Sequence, residues 1–316
     1  MSTSHRAGVP LLIFVPGMKP KPEPQLHRDA LWRCLHEGLR RVDTSVANDL
    51  AIHREQFTRA NWTWVFYRQY RDIATDLPGI EQMLAQSAPD ERDRVEATSL
   101  RTRLTRALYL AADTLPFLIN SFAGDDMQVT LRDVHRYVTN RGGIGDEVRA
   151  DLKDKLRDAH RAGQPVMLIG HSLGSVIAWD TLWELAHEGQ GEIGIDMFMT
   201  LGSPLGNKVI QRGIKGASLR GRDRYPDNIR RWVNMVAMGE LTALDRCMRN
   251  DFREMESLGL VDSIEDYDVY NHYRENGRLL VHSEYGYLVN QTTAGIIADW
   301  WRQNCPHLDV RAVDRG

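Results

Sequence analysis

Gly170, Ser172 and Gly174 form the pattern G-x-S-x-G within GHSLGS (170–175). The pattern follows the continuous apolar run PVMLI and precedes VIAWDTLWEL, a segment of helical composition. A serine forced into a sharp turn between strand and helix presents its hydroxyl outward, and its neighbours are small because the backbone there passes close to both flanking elements. A serine hydroxyl is a weak nucleophile at neutral pH, so the chemistry implied is attack on an acyl carbon while a base takes the proton. Histidine has the near-neutral basicity for that task. His282, after the apolar run in GRLLVHS and before the last helical segment, is the leading candidate, and His272 in YNHY competes with it. His171 adjoins the serine, but neighbouring side chains on an extended segment point in opposite directions, so a packing or hydrogen-bonding role is expected of it.

The elements that must position these residues alternate. VPLLIFVPG (9–17) reads as a buried strand, Gln25 to Arg41 as a helix, and the aromatic WTWVFY (62–67) as a second strand. Asp146 to Ala162 reads as a helix, PVMLIG (165–170) as a third strand and Leu173 to His187 as a helix. IDMFMTLGSP (195–204) and IRRWVNMVA (229–237) read as the fourth and fifth strands, GRLLVHS (277–283) as a short sixth, and the region of Gln291 to Gln303 as a closing helix. Strands joined by helical crossovers imply an α/β domain with a mostly parallel central sheet and helices on both faces. The long stretch before residue 146 exceeds what a structureless loop spans in a compact domain. With its apolar segment ALYLAADTLPFLINSF (107–122), it reads as a largely helical insertion or cap over 71–145.

With these segments in place, the chain resembles the α/β-hydrolase fold, and within it the serine esterases and lipases whose elbow reads G-H-S-L-G. VPGM (15–18) stands where such enzymes carry an H-G motif, and DVHRYV (133–138) looks like their D-V-x-x-Y segment. TLGSPL (200–205) looks like their T-x-G-S-P-L, RWVNMVAMGEL (231–241) like the W-x-N segment leading to the acid, and HSEYGYLVN (282–290) like the histidine loop. The resemblance implies one domain over 1–316 and catalytic groups in the order Ser, acid, His. It makes Ser172 the nucleophile and His282 the base, and places the acid at Glu240, in MGEL where the family usually has D-P-V, with Asp245 close behind as the alternative. Either carboxylate also suits the opening of a helix. The fold supplies the oxyanion hole from the amide of Leu173 and from the first strand's loop, where Met18 is the candidate.

Composition narrows the function classes. The chain has 316 residues, 40 Lys+Arg against 43 Asp+Glu and a formal net charge of -3. It therefore lacks the basic field of a nucleic-acid binder, and no nucleic-acid partner is expected. Cys34, Cys247 and Cys305 lack the spacing of a zinc site or a disulfide framework, and no His/Asp/Glu cluster has metal-ligand spacing, so no metal and no cofactor are expected. GGIG (142–145) lacks the spacing of a dinucleotide turn and reads as a loop. No segment reaches the roughly 20 apolar residues of a membrane span, and a cytoplasmic location is expected. The reading is a serine hydrolase acting on a carboxylic ester, with an acyl or lipid-like small molecule as substrate and peripheral membrane contact as an option. The rival readings are a non-catalytic hydrolase-fold binding protein and a membrane-surface scaffold with 107–122 in the interface.

Overall fold

The computed structural model describes residues 8–99, 125–188, 193–240 and 246–308, and of 125–131 the backbone alone. The apolar segment 107–122 and Asp245 lie outside the described residues. Six strands form one sheet: β1 (Leu11–Val15), β2 (Phe57–Arg59), β3 (Val166–His171), β4 (Ile195–Leu201), β5 (Ile229–Ala237) and β6 (Ser263–Val269), in the order β2-β1-β3-β4-β5-β6. Every neighbouring pair is parallel. This is an α/β fold with helices flanking a parallel sheet.

Burial on both faces explains why the central strands read as unbroken apolar runs. Leu12 and Phe14 of β1, Met167 and Ile169 of β3 and Val233 and Met235 of β5 point to one face, which the helices Pro24–Val42 and Gln291–Asn304 cover. Ile13, Val15, Leu168, Phe198 and Trp232 point to the other, against the helices Ile144–Arg161, Leu173–His187 and Met248–Ser257. Strand order reverses between β1 and β3, and in open parallel sheets the crevice at the carboxyl ends of such strands is where ligands bind. Ser172 directly follows β3, and Met18 follows β1 across that crevice.

Two expectations are corrected. WTWVFY is the helix Trp62–Tyr67, not a strand; the second strand is the short β2 just before it. Aromatic composition favours strands only where a pleated surface is there to receive it. Here Trp62 and Phe66, one helical turn apart, are buried on one face, and Trp62 donates its indole N–H to the Pro16 carbonyl at 2.8 Å. GRLLVHS does not join the main sheet either. Arg278–Leu279 pairs antiparallel with Arg274–Glu275 in a small hairpin turned by Asn276 and Gly277, both at positive φ. The sixth strand of the sheet is β6, SIEDYDV, an edge strand whose acidic residues hid it from a hydrophobic pattern.

Within 71–145 the described residues include the helices Leu77–Ala85, Glu91–Ala97 and Asp125–Val138. The first two are not a detached cap. Ile80 and Met83 belong to the core that the helix Pro24–Val42 covers, and Arg274 of the hairpin pairs with Asp93 at 2.7 Å. GGIG begins with a single 3-10 turn and leads into the helix Ile144–Arg161. Among the described residues no helix is long and apolar enough to cross a membrane.

Candidate functional site

Ser172 occupies φ 52 and ψ -130, a backbone conformation that a side-chain-bearing residue rarely adopts, between β3 and the helix Leu173–His187. Such strain persists only where the surroundings over-determine it. They do so here through close approach. A Cβ on Gly174 would stand 2.3 Å from the Val15 carbonyl oxygen, and one on Gly170 would stand 2.6 Å from the Ser175 α-carbon. The Ser172 amide donates to the Leu201 carbonyl at 3.0 Å, and the Ser175 hydroxyl donates to the Ser172 carbonyl. The elbow is thus clamped against β1, β4 and its own helix.

The loop after the small hairpin brings His282 to this serine from 110 residues away in sequence. Its Nε2 lies 2.9 Å from the Ser172 hydroxyl, and its Nδ1 lies 2.7 Å from Oε2 of Glu240. Since the carboxylate can only accept, Nδ1 carries the proton and Nε2 offers its lone pair to the serine hydroxyl, the tautomer a general base requires. Glu240 follows β5 by three residues and is 1% exposed. The Tyr287 phenol accepts from the Ala237 amide at 2.9 Å and donates to the same Glu240 oxygen at 3.4 Å.

The sequence candidates divide accordingly. Ser172, His282 and Glu240 come together in one hydrogen-bonded chain. His272 does not join them: its Nε2 stands 3.4 Å from the Met83 carbonyl, and burial lowers its pKa. His171 does not bond the serine hydroxyl; its Nε2–H donates to the His282 carbonyl at 2.8 Å. Leu173 is the first residue of its helix, where an amide has no partner inside the helix and the dipole favours negative charge. Met18 follows Gly17, which lies so close to the elbow that a Cβ there would stand 3.0 Å from the Ser172 Cβ.

Residues beyond those candidates shape the site. Gly202, at φ 55 after β4, packs under His282 and Glu240: a Cβ there would lie 3.0 Å from Nδ1 of His282 and 3.2 Å from Oε2 of Glu240. Its signal was a glycine just past a strand, in TLGSPL. Tyr67 accepts from the Lys19 amide at 3.1 Å and donates to Asp133 at 3.0 Å, so a misread segment supports the Met18 loop. Tyr137, the tyrosine of DVHRYV, donates to Asp180 in the elbow helix at 2.8 Å. Nothing in the residue types marked Tyr287 or Glu284, described below, because their partners are set by the tertiary fold. Among the described residues no group of three or more His, Cys, Asp or Glu side chains is disposed to hold a metal ion. Comparisons with protein-family models, with curated proteins and with solved structures return no match.

Proposed function

We propose that this chain is a serine hydrolase of α/β-hydrolase type that cleaves a carboxylic ester through an acyl-enzyme. The single observation that carries the proposal is the Ser172–His282–Glu240 chain, with contacts of 2.9 Å and 2.7 Å at a serine held in a strained turn. In the proposed reaction His282 takes the Ser172 proton on Nε2 as Oγ bonds to the acyl carbon, and the carbonyl electron pair moves onto oxygen. The Leu173 and Met18 amides receive that charge, an interaction typically worth about 100- to 1,000-fold in rate for each donor. Collapse of the intermediate breaks the ester C–O bond, and the imidazolium returns its proton to the departing alcohol. Water, deprotonated in turn by His282, then releases the acid and restores Ser172. Glu240 holds the ring and offsets its transient charge. An acyl or lipid-like ester is the substrate class that the apolar composition of 107–122 favours, since a hydrophobic cleft that excludes water suits such a group.

The test is covalent labelling with an alkyl fluorophosphonate, in which Oγ–P forms, P–F breaks and fluoride leaves. The parent is expected to label, while Ser172→Ala abolishes labelling and His282→Ala reduces it by orders of magnitude. Glu240→Gln should slow labelling by roughly 10,000-fold, the scale on which a carboxamide in this role stabilises the wrong tautomer, while Asp245→Asn leaves it near parental. A folded parent that takes up no probe returns the chain to a non-catalytic reading.

A further inference from the structure

Beside the candidate triad lies a second polar cluster, buried. Glu284, 4% exposed, accepts from Nζ of Lys21 at 2.9 Å and from Nε2 of His27 at 2.8 Å through its Oε1. Its Oε2 lies 3.3 Å from Nδ1 of His171, with no hydrogen bond between them, and burial keeps the His171 ring neutral by lowering its pKa. Burial pushes the Glu284 carboxyl up, but the Lys21 ammonium first and the hydrogen bond from His27 outweigh it and hold the group well below the usual carboxylate range. His27 is itself pushed down to about 4 by burial. It is therefore neutral at pH 7 and gives Glu284 a hydrogen bond, while Lys21 supplies the compensating charge.

The connections of this cluster matter more than its charge. Lys21 lies three residues beyond Met18, His171 immediately precedes Ser172, and Glu284 lies two residues beyond His282. His171 adds a direct link, because its Nε2 can only donate to the His282 carbonyl, 2.8 Å away. Its ring also lies against the His282 ring, with centroids 4.7 Å apart. Gly17 closes the other side, where a Cβ would stand 2.7 Å from Nδ1 of His171. A buried ion pair is weak evidence for stability, since apolar residues of similar volume often do as well. It can nevertheless fix relative orientation, which hydrophobic packing specifies less sharply.

We propose that His171 and Glu284 are positioning residues for the acylation step: His171 fixes the backbone of His282 through its Nε2–H, and Glu284, paired with Lys21 beside the His171 ring, ties together the loops that carry Met18 and His282. This inference rests on the hydrolase reading above, and it adds a support on the backbone side of the base, opposite the carboxylate that holds its ring.

Alkyl fluorophosphonate inactivation of the full chain separates the two, resolved into a maximal rate (kinact) and a half-saturating concentration (KI). His171→Leu keeps a buried side chain but removes the donor; it is expected to lower kinact by about 100-fold, the cost of a 1 Å misplacement of a reacting group, with KI little changed. His171→Gln, whose amide nitrogen reaches the place of Nε2, should recover most of that loss. Glu284→Gln keeps shape and volume and serves even if the leucine variant unfolds; it should lower kinact by about tenfold or more on the same scale. Parental kinact in folded His171→Leu or Glu284→Gln overturns the positioning role while leaving the hydrolase reading intact. A glutamine variant at 171 no faster than the leucine variant, at equal thermal stability, also overturns it. Failure of the parent itself to label overturns the hydrolase reading and this inference with it.

Discussion

Gly202 lies directly beneath His282, and a single added carbon on the glycine would stand 3.0 Å from Nδ1 of the imidazole. The same carbon would stand 3.0 Å from the Tyr287 hydroxyl and 3.2 Å from Glu240. The loop after β4 thus forms the floor on which His282 and Glu240 meet. Gly202→Ala is expected to act twice: its φ of 55 costs an alanine about 1–2 kcal/mol of left-handed strain, and the methyl displaces the base–acid pair. Thermal melting reads the first effect. Fluorophosphonate labelling reads the second, with a fall of roughly 10- to 100-fold, larger than the stability loss accounts for. Parental labelling by the alanine variant would show that the pair tolerates displacement.

Tyr287 separates the support of Glu240 from the proposed role of Glu240 itself. Its phenol oxygen accepts a hydrogen bond from the buried Ala237 amide, and its O–H donates one to Glu240. Tyr287→Phe leaves that amide without its acceptor, a loss of about 1–3 kcal/mol, which urea unfolding measures. Labelling should fall far less than in Glu240→Gln, because the 2.7 Å bond between His282 and Glu240 survives. Equal losses in the two variants would mean that the phenol, not the carboxylate alone, governs the base.

How far the sequence reached depends on what each element does. β1, β3, β4 and β5 are buried on both faces, so their apolar runs were visible without any knowledge of partners. β6 carries Glu265, Asp266 and Asp268 and lies at the sheet edge, where Arg231 pairs with Glu265 and Asn234 donates to Asp266. Its pattern is one of ionic and hydrogen-bond partners, which composition does not reveal. The helix Trp62–Tyr67 was hidden by the opposite effect, since aromatic propensity points to strand while its tertiary contacts bury one helical face. At the site, the serine turn was legible because close backbone approach demands small residues at fixed spacing. The cluster of Lys21, His27, His171 and Glu284 draws on four separate segments and leaves no local trace.

Acid sensitivity should show at Glu184 in the elbow helix. Its carboxylate meets Nε of Arg149 at 2.9 Å, Nζ of Lys153 at 2.8 Å and Nζ of Lys215 at 2.9 Å. Burial pushes the carboxyl up, but these three cations outweigh it and bring it down from 4.5 to about 2. A carboxyl depressed in the folded state contributes stability that is fully present above its unfolded value and lost as pH falls through the folded one. The window is therefore pH 4.5 down to 2. Glu184→Gln should be less stable than the parent at pH 7, and the gap should shrink steadily below pH 4.5. Denaturant unfolding at a series of pH values measures it, and a gap independent of pH would remove the carboxylate from the account.

Arg274 links the segment before residue 100 to the hairpin that delivers His282. Its Nη2 and Nε bond Oδ1 of Asp93 at 2.7 Å and 3.0 Å, and its Nη1 bonds Glu96 at 2.9 Å. Arg274 is 6% and Asp93 2% exposed, so Arg274→Met strands a buried carboxylate, at a cost of about 3–5 kcal/mol. Lysine should not rescue the loss, because an ammonium lacks the fixed fork that holds two carboxylates at once. The effect should also reach the acid. Ala97, at the end of the helix carrying Asp93 and Glu96, packs on Gly239, where a Cβ would stand 2.5 Å from the Ala97 carbonyl oxygen, next to Glu240. Both Arg274→Met and Arg274→Lys should therefore lower labelling as well as melting temperature. A variant that melts early yet labels at the parental rate would show that this ion pair supports the fold without reaching the site.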